Sequence, residues 1–234
     1  MSTWYPHVVA CPYCNYNQEI HLLKGMHITR IPDVQRQIID GTFQVFSCVS
    51  CTSSFVVERP SIYTDFDKGH YIAIEPLGSS RKEALMRHQK IFDDVFLFAP
   101  DLAQNLANTL NPRLVFGLPA LREKILTWEK GLSDHVLEGL KLSIIGRHSL
   151  DKKSIVLRLV KIHQTGGHLL FAAYKNPVVK HKKGLQILHT QKPYTWYTAS
   201  RQDYETILGN ITRLRQLTPR LFGGWCVDVS MLDF

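Results

Sequence analysis

The residues of this chain best suited to chemistry are two pairs of thiols, Cys11-Pro-Tyr-Cys14 and Cys48-Val-Ser-Cys51. A Cys-x-x-Cys turn serves either of two purposes: electron exchange between dithiol and disulfide, or delivery of two sulfurs to a metal ion. Electron exchange asks for the first cysteine at the exposed start of a helix, where the helix terminus and nearby cations lower its pKa. After Cys14, however, Tyr16, Gln18, Ile20 and Leu22 alternate with Asn17, Glu19, His21 and Leu23, which is the period of a strand. A thioredoxin-like site also needs a downstream cis-proline, and the nearest candidate, Ile31-Pro32, reads as a helix start. The metal purpose needs four ligands in a tetrahedron with bonds of about 2.3 Å, delivered by two turns that face each other. Cys11, Cys14, Cys48 and Cys51 supply four sulfurs, and the chain between the pairs is long enough to fold back. The expectation is one structural zinc ion, closed by four thiolates and without a vacancy for activated water. Asn15, after the first pair, tolerates a left-handed backbone. Thr52 stands at the matching place and is β-branched, so the second knuckle is expected to be irregular. The fifth cysteine, Cys226, is expected to be a small buried residue on a strand, "WCVDVSM".

The elements that must position these thiols divide the chain into an α+β arrangement of three parts. Residues 1–78 read as a strand-rich, zinc-ribbon-like module with one helix at "PDVQRQIIDG", opened by Pro32 and stopped by Gly41. Residues 79–146 read as a helical segment packed on that module. Leu85, His88, Phe92, Val95 and Phe96 share one expected core stripe, and Leu102, Leu106 and Leu110 another. A helix follows with Ser133 as its N-cap and Val136, Leu140 and Ile144 on one face. Residues 147–234 read as a small basic α+β unit, with a hairpin through "HQTGG", a strand in "GLQILHT" and a helix over "SRQDYETILGNITRLRQL". The seam is expected near Gly146–Lys153.

Net charge is +8, and it is unevenly placed: residues 1–146 hold 14 Lys/Arg against 15 Asp/Glu, whereas residues 147–234 hold 14 against 5. A basic half suits an acidic partner, nucleic acid among them, as well as a plainly solvated surface. Lys180, Lys182, Lys183, Arg213, Arg215 and Arg220 cluster there, with Trp196 and its neighbours Tyr194 and Tyr197 as base-stacking candidates. No Gly-rich phosphate loop, His-Glu-x-x-His or Gly-x-Ser-x-Gly is present, so no catalytic or cofactor-binding residue is assigned and a non-enzymatic role is expected. His163, His168, His181 and His189 lack a carboxylate at a diagnostic spacing, and Asp228 is the one acid worth following. The apolar runs are far shorter than the roughly 20 residues of a membrane-spanning helix. With no secretory signal pattern at the N-terminus, the expected location is the cytoplasm.

The combination of "CPYC", "EIHLLKGMHITRIPDVQRQIIDGTFQVFSCVSC" and "VERPSIYTDFDKGHYIAIEP" resembles the CpXC domain proteins, a mainly prokaryotic family named for two Cys-Pro-x-Cys pairs. The resemblance continues into "RLVFGLPALREKILTWEKGLSDHVLEGLKL" and covers about residues 7–145. It implies Cys11, Cys14, Cys48 and Cys51 as metal ligands. Val49 departs from the family's usual proline, and Asn15 and Thr52 stand where glycine is usual. The family is functionally uncharacterised, so the resemblance implies a fold and a metal but no activity. The readings taken forward are an adaptor for a protein partner and, as the alternative, a nucleic-acid binder.

Overall fold

A computed structural model describes residues 4–163, 167–175 and 184–231. In chain order, β1 (Trp4–Ala10), β2 (Asn17–Leu23) and β3 (Gly25–His27) lead through a 3-10 turn into α1 (Pro32–Asp40). Next come β4 (Val45–Ser47), β5 (Ser54–Glu58), β6 (Ser61–Asp65) and β7 (His70–Glu75). Helix α2 (Arg81–Phe92), a π-helical turn (Asp93–Leu97) and α3 (Asp101–Ala107) cross over to β8 (Asn111–Phe116). Helices α4 (Leu118–Glu129) and α5 (Asp134–Arg147) follow, then β9 (Ile155–Ile162), β10 (Leu169–Lys175), β11 (Gln186–His189) and β12 (Thr195–Ala199). Then come α6 (Arg201–Gly209), α7 (Ile211–Leu217), α8 (Pro219–Phe222) and a 3-10 turn (Val229–Met231). The fold is α+β, with strands in small separate sheets.

Two compact units emerge, one of Met1–Leu121 with Val179–Thr190 and one of Arg122–Val178 with Gln191–Phe234. The division falls within α4. Residues 146–153, where the composition suggests a seam, form the end of α5 and the turn into β9 within the second unit.

Among the described residues the first unit holds three sheets. β1 and β2 form an antiparallel hairpin from Trp4↔Leu23 to Ala10↔Asn17. β5 is flanked by β4 and by the late strand β11, with Gln186 opposite Glu58 and His189 opposite Phe55. The third sheet, β3-β6-β7-β8, mixes directions: β6 and β7 are antiparallel, while β3–β6 and β7–β8 are parallel. A parallel pair needs a long crossover, and α2, the π-helical turn and α3 provide it. Tyr71 of β7 meets Phe92 and Phe96 edge-on at 5.0 and 5.9 Å.

The π-helical turn also corrects the expected stripe. Its extra residue per turn keeps Phe92 and Phe96 inward but rotates Val95 into solvent, and Leu102 at the start of α3 is 84% exposed. At the ends of β7 and β8 the buried Glu58 carboxylate accepts the amides of Leu77 (3.0 Å) and Leu118 (2.9 Å). Burial raises its pKa even against those two hydrogen bonds. Gly117, at φ 82°, makes room for it: a Cβ there would lie 2.9 Å from Leu77 Cγ and 3.1 Å from Glu58 Oε1.

The second unit packs α5 and α6 on the antiparallel sheet β12-β10-β9, burying Val136, Leu137, Leu140 and Ile144 against Leu157, Leu159, Leu169 and Phe171. Ser133 does sit at the N-cap of α5, yet its side chain makes no capping bond; its amide donates to the Tyr204 hydroxyl at 2.7 Å. The helix expected over 201–217 is two helices, broken at Asn210, and the first opens with a capping box of Ser200 and Asp203.

The expected closing strand does not form. Val227 and Val229 give their backbone groups to side chains instead: Lys124 Nζ donates to the Val227 carbonyl at 3.0 Å, and the Val229 amide donates to Glu138 Oε2 at 2.8 Å. Cys226 is buried, as expected, but outside any strand. These side chains belong to a buried network of Glu123, Lys124, Asp134, Glu138, Lys141, Arg158 and Asp228. Lys141 bridges Glu123 and Glu138 at 2.7 Å each, and Arg158 reaches Asp228 at 2.8 Å. The network explains its own burial at the sheet edge. β9 is an outer strand, and Glu123 accepts its Leu159 amide while Lys141 reaches its Leu157 carbonyl, so charged groups take the place of a missing neighbour strand.

Candidate metal centre

Each knuckle begins where a strand ends. β1 delivers Cys11 and β2 leaves just after Cys14, while β4 and β5 bracket Cys48 and Cys51 in the same way. The two turns are near copies. Cys11 N donates to Tyr16 O at 2.9 Å, and Cys48 N to Ser53 O at 3.0 Å; Asn15 N donates to Cys11 O, and Thr52 N to Cys48 O, both at 2.9 Å. The amides of Tyr13 and Ser50 each point at the first sulfur of their own knuckle, at 3.4 Å. Asn15 and Thr52 share a φ of 61°. The second knuckle is therefore regular, and the expected irregularity is replaced by a β-branched residue held in a left-handed backbone.

The four sulfurs meet. Cys11 Sγ lies 3.7 Å from Cys51 Sγ, Cys14 Sγ lies 3.6 Å from Cys48 Sγ, and all four fall within 4.8 Å of one another. A tetrahedral ion with metal–sulfur bonds of about 2.3 Å needs sulfur–sulfur edges of about 3.8 Å, so the donor set fits. All five described cysteines are free thiols, and no disulfide competes for these atoms.

Without a cation the sulfurs pull one another's pKa values apart. Hydrogen bonds from the Ser53 side chain and amide bring Cys51 down to about 6. At Cys14 the Tyr16 amide favours the thiolate, but desolvation and the neighbouring sulfurs outweigh it and push the thiol up to about 11. A bound divalent cation removes that conflict, because all four thiolates then face positive charge.

Two further contacts hold the knuckles together, and nothing in their spacing marks them in the sequence. Gln18 of β2 donates to Ser47 O (3.2 Å) and accepts from Val49 N (3.0 Å), joining the first hairpin to the second knuckle. Tyr13 of the first knuckle stands edge-on to His189 of β11, with centroids 4.6 Å apart. Below the sulfurs, Val9, Ile20, Leu22, Phe55 and Val57 form an apolar floor.

The other expected residues lie elsewhere. Arg213, Arg215 and Arg220 are exposed on α7 and α8, and Trp196 is exposed on β12. Tyr197 packs on the core of the second unit, whereas Tyr194 is exposed. Lys180, Lys182, Lys183 and His181 lie outside the described residues. His163 donates its amide to the His168 carbonyl at 2.9 Å and His189 belongs to the first unit, so no histidine cluster forms among the described residues. His135 is 3.2 Å from Asp134 and stacks on Phe222 at 4.5 Å, and Asp228 is spent in the buried network. No helix among the described residues is long and apolar enough to cross a membrane.

Two opposed Cys-x-x-Cys knuckles on a strand-rich frame define a ribbon-like, metal-binding module. The family model described as CpXC protein matches residues 9–141, more than half of the chain, and the chain belongs to that family. No curated protein and no solved structure matches it.

Proposed function

We propose that the four cysteines hold one structural zinc ion and that the chain is a non-enzymatic adaptor whose ribbon presents a surface to a protein partner. The observation that carries the metal half is the convergence of four sulfurs, and only sulfurs, from two matched knuckles. A closed tetrathiolate set suits a fold-holding ion rather than an activator of water. Supporting the adaptor half, the knuckle tips turn Tyr13 and Val49 into solvent, with Val8 and Tyr16 also exposed nearby. Elemental analysis of the purified chain is expected to give about one zinc per molecule. A tagged pull-down treated with nuclease is expected to retain a protein partner that Val49→Asp and Tyr13→Asp release. Loss of every partner on nuclease treatment overturns the adaptor half.

The nucleic-acid alternative rests on the exposure of Arg213, Arg215, Arg220 and Trp196. Its test is binding to DNA and RNA across a salt series, where phosphate contacts give an affinity that falls steeply with salt. Absence of binding at low salt sinks it.

A further inference from the structure

Two parts of the surface carry opposite charge around exposed apolar side chains. Residues 91–112 contain Asp93, Asp94 and Asp101 and no lysine or arginine. There the π-helical turn and α3 leave Val95, Leu97, Phe98 and Leu102 in solvent, with Phe98 78% exposed. Residues 208–222 contain Arg213, Arg215 and Arg220 and no aspartate or glutamate, and Leu208 and Leu217 are exposed among them. Arg215 lies over the Phe222 ring at 5.0 Å, which limits the freedom its side chain loses on binding.

We propose that these two surfaces form a contact between two copies of this chain, the acidic apolar surface of one copy docking on the basic apolar surface of another. Both are open in the single chain. A second copy brings each of them its complement: three arginines to three aspartates, and leucines to a cluster led by Phe98 and Leu102. Pairing of like surfaces brings three aspartates onto three aspartates, so the contact is heterologous. Asp94 already has a partner in Lys90 at 3.2 Å, but both side chains are largely exposed, and such a pair is weak enough to exchange. The proposal goes beyond the adaptor reading, which concerns a different protein and is decided by the pull-down.

Light scattering and sedimentation of the full, metal-loaded chain test it. At about 100 µM and low salt, where micromolar contacts are populated, the average mass is expected to exceed the 26.9 kDa of one chain. High salt returns it toward that value. Phe98→Asp with Leu102→Asp, and separately Arg213→Glu with Arg215→Glu, are each expected to weaken association by at least about tenfold, equivalent to about 1.4 kcal/mol. Each double variant keeps one intact surface, so an equimolar mixture recovers a two-chain complex that neither forms alone. Unchanged circular dichroism and zinc content show that the variants fold, and Asp101→Lys, at an exposed position, is a milder second probe of the acidic side.

A chain that stays monomeric throughout overturns the proposal, as does association that neither variant disturbs or a mixture that remains monomeric. Loss of salt-sensitive DNA binding in the arginine variant, alongside a monomeric wild type, assigns that surface to nucleic acid and overturns it equally.

Discussion

The two units of this chain solve one problem, holding small sheets together, by opposite means. The first draws four sulfurs to a point where one cation satisfies all of them. The second buries seven charged side chains that satisfy one another and the open edge of β9. A metal centre is ordered by a component that can be taken away, whereas an ion network is ordered only by its own members. The first unit should therefore answer to chelation and the second to the loss of any one charge. Each response should be local.

The largest effect is expected from Cys48→Ser. A structural tetrathiolate site contributes on the order of 10 kcal/mol to folding, so loss of a ligand removes much of what orders the hairpins. Metal content should fall and amide protection should be lost in β1, β2, β4 and β5, while β9 and β10 keep theirs in hydrogen exchange. Full metal and full protection in this variant would contradict the metal assignment.

Next in size comes Lys141→Met. The Lys141 side chain is fully buried; burial disfavours its charge, but Glu123 and Glu138 outweigh that and raise its pKa. Removing the ammonium leaves Glu138 without its ion-pair partner and Glu123 with Arg158 at 3.3 Å, a loss of about 3–5 kcal/mol for a broken buried pair. Protection in β9 and α5 should drop while metal content is unchanged. Adding Glu138→Gln should recover part of the loss, because it deletes the carboxylate that Lys141 leaves behind and keeps an acceptor for the Val229 amide. No recovery would mean that packing, not charge, makes Lys141 important.

The contrast also explains what could be read from the sequence. Cys11, Cys14, Cys48 and Cys51 announce themselves because two Cys-x-x-Cys pairs supply the four ligands of a tetrahedral site, and β2 is legible beside them by its alternation. The network is nearly silent: Asp228 alone stands out, and Glu123, Glu138, Lys141 and Arg158 look like ordinary surface charges until α4, α5, β9 and the terminal segment converge. Val95 misleads because helical periodicity assumes 3.6 residues per turn, and it sits in the π-helical turn that breaks this phase; Leu102 misleads because α3 runs only from Asp101 to Ala107, so the stripe read through Leu110 outruns the helix. β11 misleads in another way. Its pattern marks a strand, but only the fold shows that its partner is β5, more than a hundred residues upstream.

A smaller effect separates a third polar cluster, in the first unit, from both. Burial alone raises the pKa of Glu75, but His88 and Arg87, each 2.6 Å from its Oε1, outweigh that and hold the carboxyl below its ordinary value. A depressed carboxyl contributes stability above the unfolded pKa, near 4.5, and loses it as pH falls through the folded value. Wild type should therefore be more stable than Glu75→Gln at neutral pH, with the gap closing below about pH 4.5. A gap independent of pH would assign Glu75 a purely steric role.

The smallest effect lies between the two knuckles themselves. Asn15 and Thr52 occupy the same place at the same φ of 61°, yet asparagine visits this region readily and a β-branched threonine does not. Thr52 offsets some of the strain with a hydrogen bond from its hydroxyl to the Cys51 carbonyl at 2.7 Å. Glycine removes the strain but adds freedom to the unfolded chain, so Thr52→Gly should gain only about 0.5–1 kcal/mol. Asn15→Gly, with little strain to relieve, should gain nothing. The two variants differ at one position of otherwise matching turns, so competition with a chelator compares them directly: Thr52→Gly should hold metal more tightly than wild type, and Asn15→Gly should not. Equal shifts in both would show that the left-handed turn costs threonine no more than asparagine here.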